Sequence, residues 1–127
     1  MPTNTNFPPV FDALKKILVP YARTMIVKHD TPTHYYLDTK FTMTHNKQPL
    51  FFAAVRQGKA YVSFYLMPLY ACPELEKGMS AGLKKHKQGK SCFNFKEIDT
   101  ALFAELKALT KAGAERFKKG DLPWIVK

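Results

Sequence analysis

The sequence predicts an α+β fold: a mainly antiparallel sheet of about four to five short strands, packed with N-terminal, middle and C-terminal helices. Three observations predict it. Apolar residues recur at helical spacing near both ends: Phe11, Leu14 and Leu18, then Leu102, Leu106, Leu109, Gly113 and Phe117. Residues 50–56 and 60–66 read instead as β-favouring runs on either side of Gln57-Gly58-Lys59, the form of a hairpin. Prolines and glycines fall between these stretches, where chain direction has to change.

The elements follow in order. Residues 1–7 read as a frayed start. Pro8-Pro9 opens a helix over 8–18, because proline's missing N–H is harmless in a first turn. Pro20 breaks that helix and starts a second, over 20–28, which carries Tyr21, Met25 and Ile26 inward. His29-Asp30-Thr31-Pro32 is a turn, and 33–38 is a strand that Phe41 and Met43 would extend. A polar loop covers 42–49. In the hairpin, Gly58 is expected to supply a positive φ. Pro68 ends the second hairpin strand. Pro73 starts a helix in which Leu75, Met79 and Leu83 step by four, and Gly89 ends it. Residues 91–95 form a short strand. Asp99 caps a long last helix that Gly120 closes. The apolar tail Leu122-Pro123-Trp124-Ile125-Val126 suits docking on the body, or burial against a second copy in a homodimer. No repeat or linker divides the chain, so 1–127 reads as one domain.

Composition narrows the partners. Of the 127 residues 46% are hydrophobic, enough for a core without disulfides. No apolar run approaches the roughly 20 residues of a membrane-spanning helix, so no membrane partner is expected. Met1-Pro2-Thr3-Asn4-Thr5-Asn6 lacks the basic and apolar regions of a secretory signal, and a cytoplasmic location is the expectation. The net charge of +10 favours anionic partners: nucleic acid, a phosphorylated metabolite or an acidic protein. Lysine far outnumbers arginine, whereas dedicated phosphate and base readers favour arginine's two-pronged grip. Cys72 and Cys92 have neither CxxC spacing nor a histidine at ligand spacing, so neither zinc nor another cofactor is signalled.

Residues 10–117 carry a family resemblance. Leu14-Lys15-Lys16-Ile17 leads to a helix break at Val19-Pro20. Thr31-Pro32-Thr33-His34-Tyr35 forms a proline-aromatic turn. Phe52-Ala53-Ala54-Val55 and Val62-Ser63-Phe64-Tyr65 form a central hairpin, and Lys87-Gln88-Gly89-Lys90 steps into Phe93-Asn94-Phe95. In order and spacing these resemble the YdhG-like family of small bacterial domains of unknown function. The resemblance implies the same α+β fold, and some relatives are described as frataxin-like intracellular iron chaperones. Two departures stand out: Asp30 occupies the place of the family's turn glycine, and the loop 42–49 is longer. Aspartate tolerates the left-handed conformation better than most residues.

Four constellations are candidates for chemistry. For iron, the best local cluster is His29, Asp30, His34 and Asp38. His34 and Asp38 share a strand face, but the ten acidic residues are otherwise scattered, and a turn histidine beside an aspartate also suits plain capping. Lys84, Lys85, Lys87 and Lys90 form a basic patch that either offsets a helix C-terminus or contacts nucleic acid. Gly89-Lys90-Ser91 is not a phosphate loop, because Lys84 stands where that motif needs glycine. Cys92 and Ser63 lack the neighbours of an activated nucleophile.

The fourth is a sheet face. Strict alternation puts Phe51, Ala53, Val55, Val62, Phe64, Leu66, Phe93 and Phe95 on a core face. Phe52, Ala54, Arg56, Tyr61, Ser63, Tyr65, Cys92 and Asn94 fall on the other. That second set mixes apolar walls with hydroxyls, an amide and a guanidinium. It suits a half-covered structural face with wet tyrosine tips, or a small-ligand groove in which Arg56 pairs with an anionic group. The expectation is therefore a binding or accessory protein with no recognisable enzymatic site. Its ligand residues are Arg56, Tyr61, Ser63, Tyr65, Cys92 and Asn94. Iron handling and charge-driven nucleic-acid association are the alternatives.

Overall fold

A computed structural model describes residues 7–44, 47–89, 91–119 and 125–126. It has the α+β architecture, with more strands than expected: a seven-stranded sheet in the order β1-β2-β3-β4-β6-β5, with β7 pairing with β2. The strands are β1 (Ile26–Thr31), β2 (His34–Met43), β3 (Pro49–Gln57), β4 (Val62–Leu66), β5 (Lys87–Gln88), β6 (Cys92–Phe95) and β7 (Ile125–Val126). Every pairing is antiparallel. The helices are α1 (Phe7–Leu18), α2 (Met67–Ala71), α3 (Ala81–His86) and α4 (Thr100–Lys119).

The first helix forms as its spacing dictates. Val10, Phe11, Leu14 and Leu18 are buried on one stripe. It starts one residue earlier than expected, because Phe7 is buried and helical rather than frayed. After Pro20 the expected second helix shrinks to a 3-10 turn over Val19–Arg23. Residues 26–31 then run as an edge strand instead of a helix and turn, and the turn moves to Pro32 and Thr33. The β-branched pair Ile26-Val27 and the hydrogen-bonding edge of β2 outweigh the apolar spacing that suggested a helix.

The middle helix is also broken. Pro73–Gly78 is a 3-10 turn, and α3 begins only after Ser80. Met79 and Ser80 are extended, with ψ of 138° and 158°. Ser80 Oγ accepts from the Leu83 N–H at 3.1 Å and donates to the Glu105 carboxylate at 2.6 Å, which ties the α3 start to α4. The cap of α4 is as expected: Asp99 Oδ1 accepts from the Leu102 N–H at 3.0 Å.

The helices pack on one face of the sheet. Leu14, Leu18, Leu37, Val55, Phe64, Leu66, Phe93, Phe95, Leu106 and Phe117 belong to a single buried cluster. Each such side chain taken fully out of water contributes about 1.5–3 kcal/mol of transfer free energy. A bulge in the β2–β3 pairing decides which side chains enter it. Leu37 opposes Ala53 but Asp38 opposes Phe51, so Phe52 is the extra residue. Phe52 is wholly buried, with its ring centroid 5.5 Å from Tyr21 and 6.2 Å from Phe117. Phe51 turns to the opposite face and stacks on Tyr36 at 4.6 Å. The alternation expected for this pair is thereby reversed.

Glycines act where space or φ requires them. Gly89 takes the left-handed conformation, with φ of 73°. Gly58 does not; its N–H instead donates to Tyr61 O at 2.9 Å. Gly113 lets α4 lie against Pro68, since a β-carbon there would sit 2.6 Å from Pro68 Cβ and 2.8 Å from its Cγ. The expected Gly120 stop and the Trp124 side of the tail lie outside the described residues. Backbone pairing does place β7 on β2, at Thr42 and Met43.

The Gly113 contact yields a test. Gly113→Ala improves helix propensity by about 1 kcal/mol. Overpacking a rigid proline ring costs about 1–3 kcal/mol, so the net effect is a loss of stability. Gly113→Val should lose more, and urea denaturation of both variants measures it. A Gly113→Ala protein more stable than wild type would show that the close contact is absent.

Candidate functional site

Antiparallel pairing sets residues of different strands side by side on one face. On the face away from the core, two rungs cross the sheet. Thr31, His34, Arg56, Ser63 and Asn94 are successive partners in one. His29, Tyr36, Ala54, Tyr65, Cys92 and Gln88 are successive partners in the next. Arg56, Tyr61, Ser63, Tyr65, Cys92 and Asn94, the six expected ligand residues, line one depression of about 390 Å³ together with Gly58 and Gln88. All of its walls come from strands β3 to β6 and the β3–β4 turn, and none from a helix. Phe52, placed on this face by alternation, is absent from it for the bulge reason given above.

Its polar groups form an ordered chain. Ser63 Oγ donates to Asn94 Oδ1 at 2.7 Å, and Asn94 Nδ2 donates to Gln88 Oε1 at 2.5 Å. The Asn94 carbonyl faces His86 Nδ1 at 2.9 Å, and the His86 ring stacks on Phe95 at 4.6 Å. Asn94 is thus held from both sides. Ser63 is only 7% exposed, so its hydroxyl depends on that partner. Arg56 stands differently: it is exposed, and among the described residues no carboxylate comes within salt-bridge reach of it. Its guanidinium carries five N–H donors and lines the depression together with Tyr61 and Tyr65.

Cys92 lies on the floor beside Ser63 and Tyr65. Burial pushes its thiol pKa up, while hydrogen bonding with Ser63 and Tyr65 pulls it partly back. The net rise leaves little thiolate near neutral pH, the reverse of what a nucleophile needs. Cys72 is buried elsewhere, and no disulfide joins the two.

Beside the depression lies a group of rings that sequence reasoning did not assemble. His29 and His34 stack at 4.8 Å, and both meet the Tyr36 ring edge-on, at 5.6 and 5.8 Å. Lys28 Nζ lies 5.4 Å from the Tyr36 centroid. The pKa of His34 is lowered by burial first, then by His29 and Arg56. Asp38, 4% exposed on the same face, has its carboxyl pKa raised by burial against the opposing pull of Lys28 and His29. The signal for this group was the alternation of His34, Tyr36 and Asp38, but its use needed the pairing of β1 with β2.

The four residues weighed for iron do not gather. Asp30 is paired with Tyr35 on the helix side, and its carboxylate bonds Lys15 Nζ at 3.0 Å. Among the described residues no three His, Cys, Asp or Glu side chains come together as a metal site would require. The basic patch is also divided. Lys84 and Lys85 are exposed, but Lys87 is ion-paired with Glu76. Lys90 lies outside the described residues. No described helix is long and apolar enough to cross a membrane.

Comparison with known proteins adds no relative: no family model, curated protein or solved structure matches the chain.

The cysteine environment is testable by alkylation. With Cys72 replaced by alanine, iodoacetamide at pH 7.5 should modify Cys92 more slowly than free cysteine. The rate should climb as pH rises through the elevated thiol pKa. A rate at pH 7.5 equal to or above that of free cysteine would mean an activated thiol.

Proposed function

We propose that the protein is a binding or accessory protein whose open sheet face holds a small anionic ligand in the depression at Arg56. The observation that carries this reading is the exposed guanidinium of Arg56, with no carboxylate in reach among the described residues, beside two tyrosines on a surface no described helix covers. A carboxylate or phosphate would take two parallel N–H bonds from Arg56, the charge-assisted geometry with the largest gain per contact. Tyr61 and Tyr65 would flank it with ring faces and hydroxyls. The Ser63–Asn94–Gln88 chain would keep the floor rigid, so little side-chain entropy is lost on binding. Membership in the YdhG-like family is part of the same proposal. The helix break at Pro20 and the left-handed Gly89, both at points of the resemblance, support it.

The test is thermal denaturation in a buffer free of competing anions, with phosphate and citrate as probes. A ligand at ten times its Kd stabilises by about 1.4 kcal/mol, which for a domain of this size raises Tm by about 3–6 °C. Arg56→Ala should remove the shift, and Tyr65→Ala should reduce it. Shifts of undiminished size in both variants would place the anion elsewhere.

A further inference from the structure

We propose that the ring-bearing half of the same face is a stacking platform for single-stranded nucleic acid. This goes beyond the small-anion reading, since its central rings, His29, His34, Tyr36 and Phe51, lie outside the Arg56 depression. His29 on β1, His34 and Tyr36 on β2 and Phe51 on β3 form one connected set of rings, each within 6 Å of a neighbour. All four stand on the side of the sheet that the helices leave uncovered, and His29 is exposed on the edge strand. Tyr65 continues the aromatic surface on β4, one rung-neighbour beyond Ala54.

Sheet faces of this make-up suit splayed-out bases, because every base has a π-face and stacking tolerates any sequence. The cations are where a phosphate chain would need them. Lys28 lies beside Tyr36, and Arg56 is the cross-strand partner of His34. Among the described residues of the two rungs and the bulge, the one carboxyl is Asp38, which is buried. The whole chain carries a net charge of +10, which favours a polyanion.

Size agrees with this occupant. From β1 to β4, the strands that bear the rings, the sheet spans three inter-strand gaps, about 14 Å at the usual strand spacing. That is the scale of the shortest single-strand sites, about four nucleotides. A duplex keeps its bases paired and stacked on one another, so their π-faces are closed to protein rings and duplex DNA is the wrong substrate. The lysines of α3 are not part of this platform, and Lys87 is already held by Glu76.

The experiment is fluorescence anisotropy with labelled dT12, labelled rU12, a duplex and an abasic strand of equal length, across a salt series from 50 mM. Binding of dT12 or rU12 that weakens steadily with salt is expected, and the tighter of the two gives the class of strand. The duplex and the abasic strand should bind at least tenfold more weakly. Tyr36→Leu should weaken binding by roughly 5- to 150-fold, the range that loss of one stacked base represents. His29→Ala, on the exposed edge strand, gives the same direction of change if Tyr36→Leu fails to fold. An abasic strand bound as tightly as dT12, or ring variants bound like wild type, would overturn the platform. So would absence of binding at 50 mM salt. A phosphate-induced thermal shift abolished by Arg56→Ala, in a protein that ignores dT12 and rU12, would end this inference and leave the small-anion reading standing.

Discussion

The central strands of this sheet must deliver one set of side chains to the helices and leave the other on the open face, and β3 does so only by carrying one residue too many. Without the bulge at Phe52, the larger apolar partner of Tyr21 and Phe117 would face solvent, and Phe51 would press into α1 and α4. With it, both phenylalanines find rings to contact, one inside and one outside. The interior gains a side chain worth several kcal/mol if truncated. The exterior gains the ring that anchors Tyr36. Core and surface aromatic groups are therefore consequences of the same backbone irregularity.

Downstream of the bulge the alternation is regular, and regularity is what assembles the depression. Arg56 and Ser63 come from the two strands of one hairpin and Asn94 from a strand 31 residues beyond Ser63, and register forces them into one row. No loop has to be held in place for them to meet. The row is satisfied unevenly: Asn94 is bonded on both sides, Ser63 to Asn94 and Cys92, and Arg56 by nothing acidic in reach among the described residues. A buried polar group left in that last condition would be costly, but an exposed guanidinium stays hydrated until something displaces the water.

Much of this was legible from residue order. The α1 and α4 stripes, the Asp99 cap and the hairpin strands follow from periodicity and from turn residues. The grouping of the six residues, Arg56 among them, follows from alternation, because no bulge interrupts 53–57 or 62–66. What was not legible needed information from across the chain. Ile26-Val27 sits at helical spacing behind Tyr21 and becomes a strand because β2 offers it an edge. Leu75, Met79 and Leu83 keep a four-residue step through a chain that is extended at Met79, since the Ser80–Glu105 bonds hold it there. Asp30 looked like a companion of His29 until Lys15, a helix away, claimed its carboxylate. The parity of Phe51 and Phe52 turned on one unpaired residue, which no local pattern announces.

The outermost strand deserves to be read as a boundary. All six residues of β1 are exposed, and Ile26 and Val27 are apolar, so a smooth β1 would invite another chain to add itself there. The register shift between Val27 and His29 interrupts that line of donors and acceptors, and Lys28 sets a charge at the interruption. Further along β2, where β1 has ended, β7 occupies the vacated side at Thr42 and Met43. The sheet is thus finished along this margin by an irregular hem bearing charges and a short closing stitch, and both discourage growth into a filament.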